Sequence, residues 1–170
     1  MTMSATAFDS DTSLNERRVI IRREGGDVEM VELPWGLQAR ESNGRPFTVI
    51  CAEGRTFPSH RCLIPASEFR HRSNGKHYSF SLANGDWFYF AGIWRPATRN
   101  WPEAYAILTT TANDDVAPYH DRQMAVLLRE QRMAWLDLTI SEDDLLQPMP
   151  AGAFRVSPLR APTAQAALAV

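Results

Sequence analysis

The sequence predicts an α+β protein: one domain with a curved, mostly antiparallel β-sheet or partly closed β-barrel and a few short helices late in the chain. Three observations carry that reading. Short β-branched and aromatic runs recur from residue 18 to residue 111. Glycine turns punctuate them at Gly25-Gly26 and Asn84-Gly85. Helix-compatible sequence is confined to Arg129–Leu138 and the stretch after Ser141.

The elements follow in order. Residues 1–16 are polar and without periodicity, and are read as a flexible segment. The folded domain is expected over 17–158, with a loose tail over 159–170. Arg18–Arg23 and Val28–Leu33 flank the Gly-Gly turn as a hairpin, followed by Pro34-Trp35-Gly36-Leu37. Gln38–Arg45 is a loop turning at Ser42-Asn43-Gly44, and Phe47–Ala52 is an apolar β-run. Arg61–Ala66 reads as a strand stopped by Pro65, and His71–Gly75 as a polar turn. Tyr78, Phe80 and Leu82 alternate with serines as a half-buried strand. Asn84-Gly85 suggests a type I′ turn, with Trp87–Trp94 returning as the partner strand. Tyr105–Thr111 is another strand, Ser141 caps a short acidic helix, and Phe154–Val156 is a last strand. Roughly seven strands result.

Composition narrows the function classes. A chain of 170 residues, 44% hydrophobic and 22% charged, buries a sizeable core. A formal charge of −2 and a pI near 6.1 provide no global field for nucleic acid, which leaves room only for a local basic surface. Two cysteines, Cys51 and Cys62, do not make a disulfide framework. No apolar run approaches a membrane span and no signal peptide precedes the first strand, so the expectation is a soluble cytoplasmic monomer, nucleoid-associated if it binds DNA. Gly-rich phosphate loops, a CxxC pair and a Gly-x-Ser-x-Gly elbow are missing, and His60, His71, His77 and His120 are scattered. No cofactor and no metal are expected.

The richest polar cluster is Tyr119-His120-Asp121-Arg122, set between the strand ending at Thr111 and the apolar run Met124–Leu128. Flanking core would hold such a cluster rigid. Its plain alternative is a hydrogen-bonded loop histidine. Cys51 with Glu53, and Glu68 with His71, are the other candidates. Cys51 in an apolar strand reads as core more than as a nucleophile paired with His120, and Cys62 reads as packing. His71, among Arg70, Arg72 and Lys76, belongs either to a basic rim or to a solvated turn. Trp87, Phe88, Tyr89 and Phe90 read as core pairs before base-stacking platforms. Arg45, Arg55, Arg61 and Arg122 are candidates for contacting a phosphate backbone.

At this point a resemblance appears. RCLIPASEF at Arg61–Phe69, NGDWFYFAGIW at Asn84–Trp94, AILTTTAND at Ala106–Asp114 and HDRQMAVLL at His120–Leu128 occur in the family's order, with PWGL at Pro34–Leu37. Together they resemble the SRAP family, whose members are SOS-response-associated peptidases and abasic-site sensors. The resemblance implies recognition of abasic sites in single-stranded DNA. It also implies an N-terminal cysteine, whose amine and thiol close a thiazolidine on the aldehyde, with a histidine, a glutamate and an asparagine around it.

Carried over by residue, the family histidine falls on His120, with Asp121 and Arg122 after it. The Asn-Ala-Arg-x-Glu segment falls on Val49-Ile50-Cys51-Ala52-Glu53 and keeps only the glutamate, as structural support. The glutamate of the Gly-Phe-Tyr-Glu-Trp segment falls on His71, with Glu68 close enough in sequence to stand in for it. Stacking tryptophans expected in Gln38–Pro46 are absent, and Thr2 stands where the cysteine belongs. The expectation is therefore a protein that engages abasic DNA without the thiazolidine crosslink, a start upstream that supplies the cysteine, or an inactive paralogue that binds DNA or protein.

Overall fold

The structure, a computed structural model, describes residues 7–9, 17–41 and 44–159, the first three as backbone only. Thr2, the Ser42-Asn43 part of the expected turn and residues 160–170 of the expected tail lie outside the described residues.

The hairpin around Gly25-Gly26 forms as its sequence dictates. Strands β2 (Arg17–Glu24) and β3 (Asp27–Pro34) pair over eight residues, and both glycines take positive φ, 60° and 91°. A short strand β1 (Ala7–Asp9) precedes them, and β4 (Val49–Cys51) follows. Next come β5 (Arg61–Ala66), β6 (Glu68–Ser73), β7 (Lys76–Leu82), β8 (Phe88–Arg95) and β9 (Ala104–Thr111). After a polar loop, β10 (Arg122–Met124) and β11 (Val126–Leu127) lead through a 3-10 turn at Arg129–Gln131 into α1 (Arg132–Leu136) and α2 (Glu142–Leu145). The last strand is β12 (Phe154–Leu159).

These strands make two sheets rather than a closed barrel. The smaller runs β1-β6-β7-β12, and the larger runs β10-β9-β8-β5-β2-β3, with β11 on β8 and β4 on β9. Pairing is antiparallel except for β1 with β6 and β4 with β9. Side-chain alternation explains the layering. Phe69, Phe80 and Phe154 of the small sheet meet Ile64, Phe88, Phe90 and Ile107 of the large one in a first core. The opposite face of the large sheet, with Leu63, Ala91, Ile93 and Leu108, packs on Trp135, Leu136 and Leu145 in a second core. Covered on both faces, β5 is buried at every residue and β8 at all but Arg95. Each buried phenylalanine contributes roughly 1.5–3 kcal/mol of transfer free energy. Phe69 sits at the centre, 5.1 Å from Phe80 in a stacked pair and edge-on to Phe154 at 5.3 Å.

Several expectations need correcting. Pro65 does not stop its strand: it lies inside β5 opposite Tyr89. Among the described residues β2 reaches β5 at Cys62 and Leu63 alone, so by Pro65 one side of β5 has no ladder, where a missing N–H is tolerated. Residues 71–73 are not turn but the end of β6, and the turn is Asn74-Gly75, with φ of 51° and 78°. The polar letters there are the solvent face of a strand. Asn84-Gly85 does turn, with the Gly85 N–H on the Leu82 carbonyl, but only the glycine has positive φ. The turn is therefore not type I′. It carries the chain from the small sheet to the large one, so β7 and β8 are not partners. The region expected as helix over Arg129–Leu138 holds a 3-10 turn and five residues of α1. Ser141 caps α2 by accepting the Asp144 N–H at 3.4 Å. Among the described residues no helix is long and apolar enough to cross a membrane.

Candidate functional site

The polar loop between β9 and β10 is wired before it reaches His120. Asn113, almost fully buried, accepts the backbone N–H groups of Asp115 and Val116 on its side-chain oxygen, both at 3.1 Å. Its own N–H goes to the Gln123 side chain at 2.8 Å. Asp115 reaches across to β12 and accepts from the N–H groups of Gly152 and Phe154, at 2.9 and 3.0 Å. Burial alone would push that carboxyl up, but these backbone donors and the Asn113 amide hold it below its ordinary range. The His120 N–H closes the loop on the Val116 carbonyl at 3.0 Å. Tyr119 packs on Tyr78 at 4.4 Å and edge-on to Phe80 at 5.7 Å.

His120 is thus an exposed imidazole on a rigid mount. Its Nδ1 lies 3.0 Å from the Arg122 N–H and 2.9 Å from the Arg122 carbonyl oxygen. A bare Nδ1 accepts from the former and a protonated one donates to the latter, so the ring is supported in either state. Its neighbour is His71. The two rings stack with centroids 4.6 Å apart and planes 23° from parallel. His71 is buried, with Phe69 and Phe80 edge-on to it at 5.6 and 5.7 Å. Strand alternation places it there, since Phe69 and His71 share the inner face of β6 while Glu68, Arg70 and Arg72 share the outer one. Glu68 is consequently turned away from His71. Its carboxylate accepts from the buried Ser79 hydroxyl and from Arg70.

Beside the imidazoles, Arg122 grips Glu53 through a two-pronged fork, Nη1 to Oε1 and Nη2 to Oε2, each at 2.8 Å. Nη2 also donates to the Thr109 carbonyl at 2.9 Å, and the Thr111 N–H donates to Glu53 at 2.8 Å. The guanidinium beside it pulls the Glu53 carboxyl down to about 2. This clasp ties the loop after β4 to β9 and β10. It also neutralises Arg122, which weakens that residue as a phosphate contact.

Arg61 fares similarly. Its side chain is 4% exposed, donates to the Phe57 and Trp135 carbonyls and to Glu142, and lies 4.1 Å from the Trp135 ring centroid. Such a guanidinium serves the fold, not a phosphate chain at the surface. Arg55 is exposed in the loop after β4. Cys62 is fully buried and burial pushes its thiol up, as packing requires. Cys51 overturns its reading as core: it is exposed, because β4 is a three-residue edge strand paired only with β9. It pairs with Thr109, whose carbonyl accepts from Arg122. Among the described residues no cluster of three His, Cys, Asp or Glu is placed to hold a metal ion.

A two-sheet β-protein whose inner face delivers one histidine against another, on a loop braced from three strands, defines a class that comparison makes specific. The model of the family described as SOS response associated peptidase (SRAP) matches residues 13–163, and the chain belongs to that family. Solved structures share the fold. A protein from Bordetella bronchiseptica superposes with a TM-score of 0.70 at 20% identity, over 94% of this chain and 92% of its own. A phage-related protein from the same organism gives 0.67 at 20% identity, over 86% and 79%. One from Bacteroides thetaiotaomicron gives 0.64 at 20% identity, over 86% and 75%. A search of curated proteins gives no match.

Proposed function

We propose that this chain recognises abasic sites in single-stranded DNA, with His120 as the group that gives or takes a proton at the opened sugar. The observation that carries the reading is His120 itself: exposed, stacked on buried His71, and supported at Nδ1 whether that nitrogen donates or accepts. An abasic aldehyde and its hydroxyls present the oxygens that such a ring serves through its other nitrogen. His71 acts as a positioning residue, since its burial against Phe69 and Phe80 fixes the ring on which His120 lies. Thiazolidine formation needs an N-terminal cysteine where the sequence has Thr2, and it is no part of the proposal.

The second reading is a binding module without chemistry. It draws on Val49, exposed at the place where the resemblance puts the asparagine, and on the neutralised Arg122. One competition experiment separates the two, using intact and abasic strands of one sequence. Selective recognition predicts that the wild type prefers the abasic strand and that His120→Ala erases the preference. Equal binding of both strands, unchanged in His120→Ala, would overturn it in favour of the module. Borohydride treatment before a denaturing gel reports any imine formed on the way.

A further inference from the structure

The outer side of β3 is an open sheet edge. β3 ends the large sheet, and among the described residues no strand pairs with the side it turns away from β2. The chain meets another strand again just past Pro34, where Trp35 bridges to Tyr105. An edge strand aims the N–H and carbonyl groups of every second residue at solvent. Arg17 takes the Glu32 carbonyl at 2.9 Å, which leaves residues 27–31 as the open run. One face of that run is apolar. Val28 and Met30 lie on it beside Ile21 and Val19 of β2, by register and alternation, and are 48% and 51% exposed. The same face carries Arg23, the partner of Val28, whose guanidinium holds Asp137 at 2.5 Å and so sets the end of α1 beside the hairpin.

The next residue, Leu138, is strained. It takes φ of 60° directly after α1, with the Thr139 N–H on the Ala134 carbonyl at 3.2 Å, a helix-ending motif whose left-handed position favours glycine. Its side chain is 46% exposed, so little burial within the chain offsets that strain. A leucine kept in a glycine's conformation, open to solvent and next to an apolar edge, has the character of contact surface. The charges select its occupant. β3 carries Asp27, Glu29 and Glu32 and no base, so a second copy pairing there would lay three more carboxylates along one seam. On its inner side β3 already accepts the opposite pattern: β2, RRVIIRRE, crosses it with Arg22 on Glu29 and Arg17 on Glu32. Both carboxylates remain open to solvent, and Asp27 is exposed with no ion pair among the described residues.

We infer that the outer edge of β3, with Leu138, is a docking site for an extended protein segment in which basic residues alternate with β-branched or aliphatic ones. The segment adds as a further strand. Its main chain pairs with the outward groups of β3, its apolar side chains lie on Val28, Met30 and Leu138, and its cations meet Asp27 and Glu29. The probe is a fluorescein-labelled peptide copying β2, RRVIIRRE, titrated with the full chain and read by anisotropy. Val28→Lys with Met30→Lys is expected to weaken binding about tenfold, since two apolar contacts go and the new cations repel the peptide. Added salt is expected to weaken it as well. A copy with every peptide nitrogen methylated, which cannot pair its main chain, is expected not to bind. Leu138→Gly is expected to raise the urea midpoint by relieving the left-handed backbone, and yet to weaken binding. Wild-type affinity in both variants, or equal affinity for a copy whose arginines are replaced by glutamates, would overturn the inference. Sedimentation of the chain alone is expected to show a monomer. A dimer that the two lysines dissolve would give the edge to a second copy and overturn the inference too.

Discussion

The two ends of β9 are built on opposite plans. At the Thr111 end the strong groups hold one another or the backbone: Glu53 with Arg122, Asp115 with β12, His120 with Arg122 and His71. At the Ala104 end Trp101 is half-buried and Phe47 exposed, Arg40 and Arg95 flank them, and Glu103 is engaged by Arg22. The first end holds one imidazole in a fixed place and has little charge left to attract a polymer. The second presents apolar surface with two arginines at its sides. A net charge of −2 exerts no general pull on DNA, so the proposed recognition would rest on local groups.

The comparison is sharpened most by separating arginines of the fold from arginines of the surface. Arg61→Ala leaves Glu142 buried without its partner and should cost about 3–5 kcal/mol of stability, read as a lowered urea midpoint. Strand affinity at a temperature where the variant is folded should be unchanged. A selective loss of affinity would return Arg61 to the DNA surface. The next largest effect concerns function: His120→Ala should abolish abasic preference with less than about 1 kcal/mol of destabilisation, because the ring is exposed. His71→Ala should lose both preference and stability, since it opens a hole beneath Phe69 and Phe80.

Smaller still is the clasp. Glu53 has its carboxyl lowered from an ordinary value near 4.5 to about 2. Its contribution is therefore present above pH 4.5 and is lost as pH falls through about 2. Half the Glu53 side chain is exposed, so Glu53→Gln should cost only about 0.5–1 kcal/mol at neutral pH. The variant and the wild type should converge in acid, in denaturation curves taken at stepped pH. A difference that persists at pH 2 would mean that shape, not charge, joins β4 to β10.

How much of this was legible in the sequence depends on how local each signal is. The Gly25-Gly26 hairpin, the Ser141 cap and the strand leading to His120 announce themselves within a few residues, and all are present. The division into two sheets does not. Asn84-Gly85 is a genuine turn signal, but nothing near it tells that Phe88 will pair with Ala66 instead of returning along β7. His71 was misread as turn because three of its neighbours are charged. Only the pairing of β6 with β7 shows that those charges face solvent while His71 looks inward at His120. Cys51 was misread as core because apolar letters do not distinguish an edge strand from a central one. The Trp101 cleft left no mark at all: its walls come from loops on either side of five intervening strands, and Trp101 alone looks like any loop tryptophan.

The central claim is that the stacked imidazoles meet the lesion. Ring resonances of His71 and His120, followed by nuclear magnetic resonance with selectively labelled histidine, test it most directly. Addition of abasic single strands should move both sets of signals, while the intact strand should move them much less. Histidine signals that ignore the abasic strand, or answer equally to both strands, would contradict the account.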